Sequence, residues 1–319
     1  MNASQSIRAE MTKAVPTGMP TLTVLILTFN EERHIERAIA SVRDIATDIL
    51  VVDSFSTDRT VELARAAGAR IMENKFINYS KQFQWGLDNG GITSDWILRL
   101  DADEVVEADL SAELCRDLPT LPKDVVAINF KRKHVFMGRW IKHGGRYPLV
   151  LLRLWRNGQG RVEDRWMDEH IVTWGGSVIT AKGGFADVCL YDLTFFTDKH
   201  NKYATREALD ILNGRYQLFE DDQEKNLGSG QANIKRYIKN NIYNRIPPLL
   251  APGLFFFYRY IFQLGFLDGR PGLIYHFLQG YWYRFLVGAK VVELEEGMQH
   301  CTTTAERRAV LSKLTGHKL

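Results

Sequence analysis

Cysteine is scarce in this chain: Cys115, Cys189 and Cys301 are the only three in 319 residues. Odd in number and far apart, they supply neither a disulfide framework nor a metal-ligand spacing, and they fit a reducing, cytosolic setting. Charge of one sign is equally lacking. Lys and Arg number 41 against 38 Asp and Glu, and the net charge of +3 gives no bulk electrostatic case for nucleic acid. The first 20 residues are polar, contain Pro16 and Pro20, and have no apolar core, which excludes a secretory signal there and reads as a loose leader. There is no internal repeat and no long low-complexity tract. No Gly-x-Gly-x-x-Gly follows the first apolar run and no Gly-x-x-x-x-Gly-Lys occurs, so dehydrogenase-type and P-loop nucleotide sites are excluded.

What is present is a globular composition, 45% hydrophobic and 25% charged, long enough for one large or two ordinary domains. Residues 21–29 (TLTVLILTF) read as a buried parallel strand, closed by Asn30-Glu31-Glu32. Ile35, Ala38, Ile39 and Val42 then recur at helical spacing. Residues 49–52 form a second apolar run ending in Asp53. A turn over 54–58 leads to a helix over 59–67 closed by Gly68, and a short strand over 69–72. A helix over 79–87 precedes the run 96–100, which stops at Asp101-Ala102-Asp103-Glu104. The alternation βαβαβαβ predicts a parallel sheet with crossover helices. Parallel strands share a direction, so Thr28, Asn30, Asp53, Asp101 and Asp103 should gather on the carboxyl rim, where open α/β sheets bind ligands. In an extended segment residues 101 and 103 point the same way, so both carboxylates can converge on a hard divalent cation that bridges to a diphosphate. The plainer alternative is a strand end followed by the acidic cap of a helix around 106–116.

Taken together, TFNEERHIERAIASV, VVDSFSTDRTVELA, NKFINYSKQ and DWILRLDADE resemble the GT-A catalytic domain of family 2 glycosyltransferases, over about residues 21–195. Within that family the likeness is to the lipopolysaccharide-core and exopolysaccharide branch, the KdtX/WaaE-like β-glucosyltransferases. The resemblance implies a Rossmann-like, mostly parallel sheet and an inverting enzyme that uses a nucleotide-diphospho-sugar, most often a UDP-sugar, with Mg²⁺ or Mn²⁺. It implies that Thr28, Asn30 and Glu31 line the nucleotide pocket and that Asp53 contacts the base. Lys81 falls near the base or pyrophosphate, and Asp101 and Asp103 form the Asp-x-Asp, with Asp103 the direct metal ligand. An inverting transfer also needs a base for the acceptor hydroxyl. The candidates lie in RVEDRWMDEHI, residues 161–171, where Glu169 comes first, Asp168 second, and the pair around Asp164 behind them. Some of these acids could instead pair with Arg161 and Arg165. His170 has no role in the family pattern and reads as a packed or capping residue.

Residues 125–130 read as a strand followed by a basic loop, with Lys131, Arg132, Lys133, His134, Arg139, Lys142, His143 and Arg146 beside Trp140 and Tyr147. That loop either meets an anionic acceptor or is a solvated hairpin. Residues 200–245 look helical and basic. Residues 249–267 and 273–292 are then long, apolar and aromatic, each with a polar stripe (Arg259 and Gln263; His276, Tyr283 and Arg284). Such a stripe fits helices lying in a membrane interface, the alternatives being an oligomer interface or packing on the catalytic domain. Residues 297–319 read as a loose polar tail.

The organisation expected is therefore a leader (1–20), an α/β GT-A domain (21–199), a C-terminal helical, aromatic-rich membrane-associating region (200–296) and the tail. The function expected is transfer of a hexose to a lipid-linked or lipopolysaccharide/exopolysaccharide acceptor at the cytoplasmic face of the bacterial inner membrane, by a peripheral or monotopic protein, with a homo-oligomer left open. The competing class is a non-catalytic sugar-nucleotide-binding scaffold. A nucleotidyltransferase would need a Gly-rich basic loop where Asn30-Glu31-Glu32-Arg33 stands, and a processive synthase would need several clear spans.

Overall fold

The computed structural model describes residues 18–163, 170–218, 249–317 and 319. The chain divides into two compact units. One runs to Leu190 without His143–Gly145, and the other combines His143–Gly145 with Tyr191–Leu319.

The first unit opens with β1 (Leu22–Thr28), α1 (Ile35–Val42), β2 (Asp48–Asp53), α2 (Thr60–Ala66), β3 (Arg70–Glu73), α3 (Tyr79–Asn89) and β4 (Trp96–Asp101). β5 (Glu104–Val106), α4 (Ala108–Asp117), β6 (Val125–Phe136), β7 (Arg139–Trp140), β8 (Leu149–Arg156), β9 (Gly160–Val162), β10 (Ile171–Thr173) and β11 (Ser177–Val188) complete it. A nine-stranded sheet has the order β3-β2-β1-β4-β8-β6-β11-β5, with β7 hanging on β6, and β9 and β10 form a separate pair. β3, β2, β1 and β4 are parallel, as the alternation of apolar runs and helical periods predicts. Both faces of these strands are covered. Val24 and Ile26 pack with Ile35, Ala38, Ile39 and Val42 on one side, while Leu25 packs with Phe83, Ile97 and Trp155 on the other. Strands covered on both sides must be apolar throughout, which is why they read as continuous runs. Past β4 the sheet is mixed, because β8 lies antiparallel to both β4 and β6.

Residues 131–134 do not form a loop. They extend β6, because β11 pairs alongside them from Gly184 to Val188. Three of these side chains also have acidic partners: Lys133 Nζ lies 2.5 Å from Glu107, His134 Nδ1 3.0 Å from Asp187 and Arg132 3.5 Å from Glu104. The part of that basic stretch offered to an anionic acceptor therefore shrinks. Nor is the Asp-x-Asp a continuous extended segment. The chain turns at Ala102-Asp103 between β4 and β5, so the alternation of strand faces does not govern the two carboxylates.

The second unit is helical: α5 (Leu193–Tyr216), α6 (Ala251–Phe257), a π-helical turn (Tyr258–Phe262), a 3-10 turn (Gly265–Asp268), α7 (Gly269–Tyr275), a second π-helical turn (His276–Trp282), α8 (Tyr283–Gly297) and α9 (Thr304–Thr315). α5, α8 and α9 close a small core of Ala208, Leu209, Leu212, Val291, Leu294 and Leu311. The expected loose tail is thus mostly the docked helix α9. Its start is a capping box in which Thr303 Oγ1 accepts from Glu306 N and the Glu306 carboxylate accepts from Thr303 N. Among the described residues no helix is long and apolar enough to cross a membrane. The polar stripe of residues 249–292 turns inward. Arg259, 5% exposed, donates through Nε to Gly144 O (2.6 Å) and through a terminal nitrogen to Gln279 Oε1 (2.9 Å), and His276 is fully buried. Asp268 accepts from His143 N at 2.9 Å and lies 2.7 Å from its Nδ1. The site of closest approach is Gly144, at φ +65°, where a Cβ would overlap the His276 ring.

Candidate active site

The parallel strands bring the predicted residues to one rim. In register, Thr28 stands opposite Asp53 and Leu27 opposite Asp101, so three adjacent strands end together. Asp53 is completely buried. Its carboxylate accepts from Thr28 Oγ1 (2.9 Å), Ser56 N (2.7 Å) and Ser56 Oγ (2.5 Å). Its position therefore fixes the loop after β2, and Ser56, which the sequence reading passed over as turn chemistry, is the fixed end of that loop.

The loop after β1 is laced to the same turn. Asn30 adopts φ +56°, a conformation its short polar side chain tolerates. Its N–H donates to Ser56 Oγ (2.9 Å) and its Oδ1 accepts from Thr57 N (2.8 Å). Glu31 N donates to Thr60 Oγ1 (2.7 Å), and the Glu31 carboxylate lies 2.6 Å from His34 Nδ1. Leu190 N donates to His34 Nε2 at 2.8 Å, so that nitrogen is the acceptor and Nδ1–H is the donor to Glu31. Two aromatic rings stand out on these loops: Phe29 and Phe55 are each more than half exposed, and Phe55 holds φ +62°, a strained setting for an aromatic residue. Neither ring was singled out from sequence.

Lys81 is exposed on the first turn of α3, whose N-cap Asn78 accepts from Lys81 N. The neighbouring Gln82 donates to Ser54 Oγ (3.1 Å) and Asn74 O (3.0 Å), which sets this turn beside the loop after β2. From the same turn Ser80 Oγ donates to Glu163 O (2.8 Å). Glu163 N in turn donates to His170 O (2.9 Å). Asp164, Asp168 and Glu169 lie outside the described residues, but both of their flanks are therefore anchored, and one of them is tied to the rim.

At the end of β4 the electrostatics are dense. Arg153 of β8 reaches Asp101 Oδ2 at 3.1 Å and Glu104 Oε1 at 2.7 Å, while Arg99 Nε lies 3.5 Å from Asp101 Oδ1. Burial works to raise the Asp101 pKa, but Arg153 and Arg99 outweigh it and hold the carboxyl well below the usual range. Glu104, almost wholly buried and accepting from Asp101 N (3.0 Å), goes the other way: burial, with the nearby Asp101 charge, raises it despite Arg153 and Arg132. Asp103 is half-buried in the turn. Its backbone is pinned by Val188 N donating to Asp103 O (2.9 Å), and Arg37 bonds Val188 O (2.7 Å). Glu104 and Arg153 escaped sequence reasoning, and Arg132 was read as part of a basic loop rather than as a partner of Glu104. Glu104 was visible as the last letter of Asp-Ala-Asp-Glu, whereas Arg153 lies some fifty residues on and is joined to it only by the pairing of β4 with β8.

Among the described residues no cluster of three or more His, Cys, Asp or Glu side chains could hold a metal. A magnesium-like ion does not require one, since it is commonly bound by one or two carboxylates with substrate phosphates completing the shell. Asp103 suits that role. Asp101, already facing two guanidiniums, suits it less.

The family model for Glycosyl transferase family 2 matches residues 23–179, which span every strand from β1 into β11. Those residues form a family 2 glycosyltransferase domain. Its sheet is the GT-A fold expected from the four motifs. Over 93 residues the glycosyltransferase domain is 40% identical to an uncharacterized glycosyltransferase of Rickettsia bellii, covering 29% of this chain and 31% of that one. Over 99 residues it is 29% identical to the SPbeta prophage-derived glycosyltransferase SunS of Bacillus subtilis, covering 30% and 23%. The chain thus spans about a third or less of the length of these curated relatives. Glucosyl-3-phosphoglycerate synthase from Mycobacterium tuberculosis, solved with Mn²⁺, UDP and glucosyl-3-phosphoglycerate, is 23% identical over 36% of this chain and 44% of that one, at a TM-score of 0.30. A superposition that weak carries no inference about ligands in this domain.

Proposed function

We propose that the protein is an inverting, metal-dependent hexosyltransferase that takes its sugar from a nucleoside diphosphate, UDP. The acceptor is a lipid-linked or lipopolysaccharide-type glycan at the cytoplasmic face of the bacterial inner membrane, as in the KdtX/WaaE-like branch. The observation that carries this reading is the rim itself, where Thr28, Asp53 and Asp101 end three adjacent strands in register and Asp103 follows in a pinned turn.

In this reading Thr28 and the interlocked loops bearing Asn30, Glu31 and Ser56 form the nucleotide pocket; Asp53, expected against the base, is completely buried and instead holds those loops in shape, and Lys81 lies near the base or pyrophosphate. Asp103, seconded by Asp101, would hold Mg²⁺ or Mn²⁺, which supplies neutralising charge for the departing diphosphate when bound. Glu169, or failing that Asp168, takes the proton from the acceptor hydroxyl. The freed oxygen forms its bond to the anomeric carbon as the bond to the diphosphate breaks on the opposite face, and configuration inverts. Glu169→Gln should keep donor affinity and lose roughly 10²–10⁴-fold in rate, the usual size of general-base help. Turnover of a UDP-hexose with a lipid-linked acceptor, measured beside donor binding, checks this. Wild-type turnover in the variant would move the base to Asp168.

A further inference from the structure

Segment 249–277 of the second unit is built inside out. Its exposed side chains are Leu249, Leu250, Leu254, Phe257, Tyr258, Ile261, Phe262, Leu264, Phe266, Leu267, Arg270, Leu273 and Phe277. Arg270 is the sole formal charge among them, and it is basic. The other two charged residues of the segment, Arg259 and Asp268, are buried on internal partners, Arg259 on Gly144 O and Gln279 and Asp268 on His143. A chain that spends its charges inside and leaves Phe262 69%, Leu250 64% and Phe257 54% exposed inverts the ordinary water-facing arrangement. At about half of ~150–200 Å² per large side chain, the twelve together expose apolar surface on the order of 1,000 Å², far more than singly scattered surface hydrophobics account for.

We infer that this face is a lipid-binding surface that lies in the headgroup and upper acyl region of an anionic bilayer without crossing it. Three observations choose lipid as the occupant. The segment's exposed side chains include no acidic group, and their lone charge, Arg270, complements anionic headgroups. Its aromatic residues, among them Tyr258 packed near Phe262 with ring centroids 6.4 Å apart, are of the type that settles at headgroup depth. No described helix is long and apolar enough to span, so insertion is shallow. The buried Arg259 and His276, which a sequence helical wheel would put toward headgroups, instead face the protein interior. The inference deepens the proposed acceptor class, since a lipid-linked acceptor is met at a bilayer, but it rests on the second unit alone.

The test is co-sedimentation of the full-length chain with vesicles of phosphatidylcholine alone and of phosphatidylcholine with phosphatidylglycerol, read beside sedimentation velocity without lipid. The wild type should pellet with both and more completely with the anionic vesicles. Phe257→Ser combined with Phe262→Ser, both at exposed positions, should cut partitioning at least tenfold on either vesicle. Arg270→Glu should weaken binding to the anionic vesicles only. A wild type that stays in the supernatant with both vesicles overturns the inference. So does a concentration-dependent dimer that the serine variant disperses while vesicle binding is unchanged, which would make the face a contact between copies. Neither readout depends on sugar transfer, so an inactive enzyme that pellets and an active one that does not are told apart.

Discussion

Replacing Asp103 by asparagine is expected to abolish transfer and the response of the protein to Mn²⁺, with the fold intact. The change keeps the volume of the side chain and removes one charge, at a turn whose backbone is held independently by Val188 and Arg37. A neutral amide is a poor ligand for a hard dication, so diphosphate departure loses the charge that offsets it. Far-ultraviolet circular dichroism with a transfer assay across Mn²⁺ concentrations separates the two consequences. Unchanged turnover would remove Asp103 from the metal role. The same substitution at Asp101 is predicted to act less on metal and more on local structure, since its carboxylate already faces Arg99 and Arg153.

Arg153→Met is the second large effect, and it falls on stability. The guanidinium is the shared partner of Asp101 and the nearly inaccessible Glu104, so its loss leaves two carboxylates close together with one cation fewer. Removing one partner of a buried ion pair typically costs about 3–5 kcal/mol, and the partial exposure of Asp101 puts the expectation near the low end. The pH dependence separates the two acids. Asp101, lowered in the fold, contributes stability above its ordinary value of 3.8 that is lost as pH falls. Glu104, raised in the fold, works in reverse: above its ordinary value of 4.5 the unfolded chain gives up the proton first, so folding loses ground as pH rises. Without Arg153 the Glu104 carboxyl, already raised to about 8, goes higher still, so the stability gap between wild type and variant should stay flat at mildly acid pH and widen from about pH 7 upward in urea titrations. Adding Glu104→Gln should close most of the gap. A gap independent of pH would mean that packing, not charge, explains Arg153.

The sequence carried the parallel half of the sheet because β1, β2 and β4 are covered on both faces and so must be apolar throughout, and each stops at a polar residue. That made the rim legible, from Thr28 to Asp103. The mixed half was not legible in the same way. β6 runs on through Lys131–His134 because β11 pairs alongside it, with Glu107, Glu104 and Asp187 beside Lys133, Arg132 and His134, and such long-range pairings carry no local signal. Arg153 was hidden for the same reason. Helix α9 was legible and overlooked, since Thr303-x-x-Glu306 is a capping-box pattern. In the second unit the polar positions of residues 249–292 were found at the right spacing, but periodicity gives a stripe without saying which side faces inward. Buried partners on Gly144 and Gln279 decided that for Arg259.

The donor site at the rim is the centre of the account, and thermal unfolding of the full-length chain with UDP-, GDP- and dTDP-sugars, each with and without Mn²⁺, tests it most directly. A ligand that binds only the folded state raises the midpoint by mass action. The account predicts a rise with UDP-sugars that requires Mn²⁺ and disappears in Asp103→Asn. No rise with any of the nucleotides, with or without the metal, would contradict it and return the Asp-x-Asp to an acidic strand end.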